Sequence, residues 1–99
     1  MDAKVPGNVL VLVGETKSAM GGSFALQLEP EMDCDNTLAE VCLNSGPANA
    51  AAVHQAIVSG LVCSAHDCSE GGVLLAASEM AFSGNLGIAI EIPTELPFE

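Results

Sequence analysis

Positive charge is nearly absent from this chain. Lys4 and Lys17 are the only basic side chains among 99 residues, against thirteen acidic ones, for a formal net charge of −11. Nucleic acids and anionic membranes are bound mainly through Lys and Arg, so neither is an expected partner. Any phosphate bound here must rely chiefly on backbone N–H groups and a helix dipole. Aromatic residues are scarce as well, with three phenylalanines and no Trp or Tyr. A core therefore has to come from Val, Leu, Ile, Ala and Met. Long hydrophobic runs are missing: residues 9–13 form an apolar stretch too short for a membrane helix or a signal-peptide core. Cys34, Cys42, Cys63 and Cys68 form no C-x-x-C pair. Their even number allows disulfides, but nothing points to secretion, and free buried thiols in a cytoplasmic protein are the preferred reading.

What is present is apolar and small. Ten glycines on top of a 49 % apolar fraction put the chain above the roughly 45–50 % usual for soluble domains. Its length allows one domain at most, and the apolar excess predicts that part of its surface meets another domain or subunit.

The pattern predicts an α/β (α+β) chain. After a polar lead-in over residues 1–7, residues 8–13 read as a strand buried on both faces, closed by Gly14. A glycine loop over 14–23 leads to one helical turn at residues 24–28. Residues 29–37, rich in acidic and amide side chains, form a solvated connection, and Leu38, Val41 and Cys42 fit a short helix. Gly46-Pro47 opens the clearest helix, with Val53, Ala56 and Ile57 on its apolar stripe and Gly60 in the left-handed cap position. Residues 61–65 read as a short buried strand. Asp67 or Ser69 then caps a helix through Val73, Ala77, Met80 and Ala81, stopped by Gly84-Asn85. Residues 87–92 alternate strictly, as a strand with isoleucines on one face.

Two places gather glycines and polar residues at element ends. In Met20-Gly21-Gly22-Ser23, successive glycines can turn N–H groups inward as an anion nest, with the Ser23 hydroxyl and the Lys17 charge nearby; a plain turn is the other reading. In His66-Asp67-Cys68-Ser69-Glu70-Gly71-Gly72, a strand hands over to a helix whose first N–H groups and dipole favour an anion. His66 can donate to a phosphate oxygen there, and Gly71 and Gly72 keep the first turn bare. A capped helix packed closely through its glycines is the alternative. Cys63, His66 and Cys68 lack a second ligand pair at a zinc-like spacing, so no metal site is assigned. Glu70 suits a helix start through the dipole alone, and His54 reads as a surface residue in mid-helix.

The run Ser64-Ala65-His66-Asp67-Cys68-Ser69-Glu70-Gly71-Gly72, followed by Ser78-Glu79-Met80-Ala81-Phe82-Ser83-Gly84-Asn85-Leu86-Gly87, resembles phosphoribosylformylglycinamidine synthase, synthetase subunit. The similarity is to its second C-terminal-type domain of the aminoimidazole ribonucleotide synthetase-like superfamily. Val11-Leu12-Val13-Gly14-Glu15-Thr16-Lys17 and Met20-Gly21-Gly22-Ser23 resemble that domain's opening strand and glycine loop. The likeness covers about residues 9–92 of what reads as a single partial domain over 1–99, with helices packed on a mixed sheet.

The resemblance implies a purine-biosynthesis ligase that converts formylglycinamide ribonucleotide, ammonia and ATP into formylglycinamidine ribonucleotide with magnesium. It assigns substrate-phosphate binding to Gly21, Gly22, Ser23 and His66, with Lys17, Ser69, Gly71 and Gly72 as accessories, and makes Cys68 a packing residue. It also implies that catalytic groups and most ATP and magnesium ligands lie in domains this chain lacks, so that no catalytic residue, bound ATP or metal is expected on this chain alone. The family's domain continues past Pro97-Phe98-Glu99 with further strands and helices, and the chain is expected not to complete the reaction by itself. Expected partners are formylglycinamide ribonucleotide or phosphate, the remaining domains of the synthase and, in isolation, a second copy in a homodimer. The alternative is a non-catalytic, self-associating or subunit-interaction module derived from the same domain. The run from Glu79 to Asn85 favours the purine enzyme over sister activities such as selenophosphate synthetase, thiamine-phosphate kinase or hydrogenase maturation protein.

Overall fold

Serine and glycine punctuation sets the helix ends in this computed structural model, which describes residues 1–91. Helix α1 spans Phe24–Leu28, α2 spans Ser45–Val58 and α3 spans Gly72–Gly84. Ser23 caps α1, its Oγ accepting the Leu26 N–H at 3.4 Å. Helix α2 starts just before the expected Gly46-Pro47, so Pro47 lies in the first turn, where its missing N–H would have had no helical partner. Past its C-terminus Gly60 turns left-handed (φ +74°), and the N–H groups of Gly60 and Leu61 donate to the carbonyls of Ile57 and Ala56. This is a Schellman closure of the last turn. Helix α3 ends in the same way, with Asn85 left-handed and Asn85 and Leu86 donating to Phe82 and Ala81.

The best-packed element is α3. Val73, Ala76, Ala77, Met80, Ala81 and Gly84 recur at helical spacing on its sheltered face, and Ala76 and Ala77 are the buried apolar residues. The lead-in lies on this face: the Ala3 N–H donates to the Met80 carbonyl at 2.9 Å. A Cβ on Gly84 would run into the Ala3 backbone, so only glycine permits that approach.

The expected mixed sheet is absent. Among the described residues there are three helices and no strand. Residues 8–13, 61–65 and 87–91 run without regular structure, and no backbone hydrogen bonds pair them with one another. Ile92, the last residue of the third expected strand, lies outside the described residues, as do Pro97, Phe98 and Glu99. The physical reason is that β-branched, alternating residues provide side chains suited to a pleated surface, whereas a strand exists only when a partner completes its ladder. Residues 61–65 are not buried as expected but alternate in exposure: Val62, Ser64 and then His66 are half-buried, whereas Leu61, Cys63 and Ala65 face out. Residues 9–13 are not buried on both faces but exposed, Val9 at 84 %.

Two smaller expectations also change. Residues 37–42 are not a helix. Asp35 Oδ1 accepts the Thr37 N–H at 3.0 Å, and the Asp35 and Thr37 carbonyls accept the N–H groups of Met20 and Gly21, each at 2.8 Å. This local Asx-turn and cross-loop pairing holds the segment extended. The cysteines are unpaired, but Cys42, Cys63 and Cys68 are exposed and Cys34 is half-buried, because no packed layer covers them. No two of the three helices touch. The radius of gyration is 15.1 Å, against about 13 Å for a compact domain of about 100 residues. No described helix is long and apolar enough to cross a membrane.

Candidate functional site

The two glycine-rich places differ in how their backbone donors are used. In the first loop, the Gly21 N–H is bonded to Thr37, and the Ser23 N–H donates to the Met20 carbonyl at 3.1 Å. Gly21 is required by close approach, since a Cβ there would lie 2.5 Å from the Thr37 carbonyl oxygen. Gly22 is exposed with φ +75°, and its N–H has no backbone partner among the described residues. Of the three loop residues assigned to phosphate, Gly22 thus presents an open N–H, while Ser23 offers its hydroxyl proton.

At the second place, both candidate caps are diverted from α3. Ser69 Oγ donates to Asp67 Oδ2, and neither side chain bonds the helix start. This corrects the expectation that Asp67 or Ser69 caps the helix; the short-range bond between the two side chains competes with capping. The helix is entered through Gly71, left-handed at φ +85°, with the Gly72 N–H donating to the Ser69 carbonyl. The N–H groups of Val73 and Leu74 have neither a side-chain cap nor a loop partner among the described residues. They form an open, positively polarised helix end.

His66 stands just before this end, at the inward position of the extended segment. Its Nε2 lies 2.6 Å from Glu79 Oε2 on α3, and its Nδ1 lies 3.4 Å from Asp67 Oδ1. The Glu79 hydrogen bond is the main cause that raises the His66 pKa above its ordinary value, with Asp67 adding to it against some desolvation. The Asp67 carboxyl is held below its usual range, first by Ser69 and also by His66.

Lys17 makes no hydrogen bond or ion pair with either place among the described residues. It lines an open cleft of about 180 Å³ with Glu15, Glu40, Cys42 and Ser45. Among the described residues no hydrogen bond or ion pair joins the loop at 20–23 to His66 or Lys17. His54 is exposed on α2, as expected. No three His, Cys, Asp or Glu side chains among the described residues converge into a metal-binding group.

Glu79 is the site residue that sequence reasoning left without a role. The signal lay in its position: a carboxylate beside Ala76 and Met80 at the edge of an apolar helix face needs a polar partner. Cys42 was also missed. Its Sγ accepts the Ser45 N–H at 3.4 Å at the start of α2, and hydrogen bonds from Ser45 hold the thiol below its ordinary pKa.

Comparison with known proteins adds an independent line. Residues 5–99 match the family described as AIR synthase related protein, C-terminal domain. The chain is 37 % identical over 90 residues to phosphoribosylformylglycinamidine synthase subunit PurL of Moorella thermoacetica, covering 91 % of this chain and 12 % of that protein. It is 38 % identical over 88 residues to the subunit PurL of Acidiphilium cryptum, covering 89 % and 12 %. With the subunit PurL of Thermus thermophilus the identity is 35 % over 95 residues, covering 96 % and 13 %. The chain thus spans about an eighth of the length of these curated relatives. No solved structure matches it.

Proposed function

The chain belongs to the family of AIR synthase related protein C-terminal domains, and from that premise we propose that it serves a PurL-type synthase by binding the phosphate of the substrate. The reaction would be the ATP-dependent conversion of formylglycinamide ribonucleotide to formylglycinamidine ribonucleotide, with ATP and magnesium held by other parts of the synthase. This chain's contribution is an anion site made of His66 and the first turn of α3, with Gly22 and Ser23 of the glycine loop as further donors.

The observation that carries this reading is the open start of α3. Asp67 and Ser69 are both capable caps, yet they bond each other and leave the Val73 and Leu74 N–H groups free, a few residues after His66 in the chain. In a chain with two basic side chains, backbone donors and one imidazole are the means available for holding a phosphate. Asp67, 84 % exposed, can swing into solvent when an anion arrives.

A chimera tests the proposal. The corresponding segment of the Moorella thermoacetica synthase subunit is replaced by this chain, and formation of formylglycinamidine ribonucleotide is assayed. Activity is expected, and His66→Ala in the chimera should raise KM for the ribonucleotide more than it lowers kcat. A folded, ATP-binding chimera without activity, or a His66→Ala effect on kcat alone, contradicts the assignment.

The interaction-module reading has its own support in the wide exposure of apolar side chains, such as Val9, Val41 and Leu43 at 80–84 %. Surface of this kind fits contact with the remaining domains of the synthase or with a second copy.

A further inference from the structure

We propose that Glu79 is a positioning residue that makes anion binding at this site depend on the protonation of His66. Its carboxylate accepts the hydrogen bond of Nε2–H and leaves Nδ1 as the ring nitrogen that faces the ligand, so a tetrahedral oxyanion is held only while the ring carries both protons. This inference rests on the phosphate-site reading above and deepens it by naming how the site is regulated.

The geometry fixes the roles of the two ring nitrogens. With Glu79 Oε2 2.6 Å from Nε2, the carboxylate requires a proton on that nitrogen. A neutral ring would then turn the Nδ1 lone pair toward the ligand, repelling an anionic oxygen. The second proton converts Nδ1 into a donor and supplies the positive charge. In the free chain Asp67 Oδ1 occupies this direction at 3.4 Å, beyond the short contact made by Glu79. Asp67 is held on its far side by Ser69, so its approach to Nδ1 is easily exchanged for a ligand oxygen. The titratable groups facing the ring are Glu79 from α3 and Asp67 from the preceding loop; no other ion-pair partner lies in range among the described residues. Both favour the charged ring, Glu79 most strongly, so the doubly protonated form persists to higher pH than in an ordinary histidine. The chain's other histidine, His54, is exposed and lacks such partners among the described residues.

The test uses sulfate, whose charge does not change across neutral pH, with NMR detection of the His66 ring and the Val73 and Leu74 amides in the 99-residue chain. In the wild type, sulfate binding should weaken as pH rises, with a midpoint that coincides with the His66 ring titration. In Glu79→Gln, both midpoints should move down together. Sulfate shifts in the wild type whose two midpoints are unchanged by Glu79→Gln overturn the role of Glu79 while leaving the phosphate site standing. Absence of sulfate shifts in the wild type at any pH overturns the phosphate site and its control together. If Glu79→Gln loses its helical circular dichroism, the wild-type data decide: a sulfate-binding midpoint that departs from the His66 titration overturns the proposal, and coincidence supports it.

Discussion

Glu79 Oε2 lies 2.6 Å from Nε2 of His66 and ties α3 to the extended segment that precedes it. The pair lies thirteen positions apart, and no other side-chain hydrogen bond or ion pair among the described residues spans more than four. The same bond fixes which ring nitrogen of His66 faces α3, so one contact serves both the fold and the proposed site.

Stability should therefore fall as pH rises through the His66 titration. The folded pKa is raised above the ordinary value of 6.5. The stabilisation is complete below that value and is lost as pH climbs through the folded pKa. Urea unfolding of the wild type and of Glu79→Gln across this range should show a difference that is larger at acid than at alkaline pH. A difference independent of pH would contradict the linkage.

Asp67→Asn should tighten sulfate binding a few-fold at a pH low enough to keep the His66 ring doubly protonated in both proteins. The substitution removes a negative charge that stands 3.4 Å from Nδ1, and about fivefold is the effect of one charge at about 4 Å in a water-like medium. Titration followed by NMR measures the change, and unchanged or weaker binding would place the anion elsewhere.

Gly21→Ala and Gly84→Ala should each destabilise the chain by about 1–3 kcal/mol, the usual cost of overpacking. The first drives a methyl group toward the Thr37 carbonyl and the second into the Ala3 backbone. Hydrogen exchange should show Gly21→Ala exposing the Met20 amide and Gly84→Ala exposing the Ala3 amide. Unchanged protection at both amides would contradict these close approaches.

Cys42 should alkylate faster than Cys63 or Cys68 near neutral pH, because hydrogen bonds from Ser45 favour its thiolate. Iodoacetamide labelling read by mass spectrometry ranks the three, and Ser45→Ala should slow Cys42 selectively. Equal rates at all three exposed thiols would contradict the account of this helix start.

The helices were readable from local chemistry. Ser23 before Phe24, Gly60 after Val58 and Asn85 after Gly84 act within one turn of the chain, so their positions follow from neighbouring residues alone. The sheet was not readable in this way. The apolar run at 9–13 and the alternation at 87–92 state which side chains suit a strand, but a ladder depends on distant partners, and the described residues provide none. At the site, the open helix end and His66 were visible as motifs. Glu79 was not assigned, because its partner lies thirteen positions away on the preceding segment. The expected Asp67 or Ser69 cap failed because each residue found the other first.

The most direct measurement of the central claim is an NMR titration of the chain with ribose 5-phosphate. Anion binding at the start of α3 predicts saturable shifts of the His66 ring and of the Val73 and Leu74 amides, with Gly22 responding if the glycine loop shares the phosphate. A spectrum of the folded chain that does not change at His66, Val73 and Leu74 at saturating ligand would contradict it.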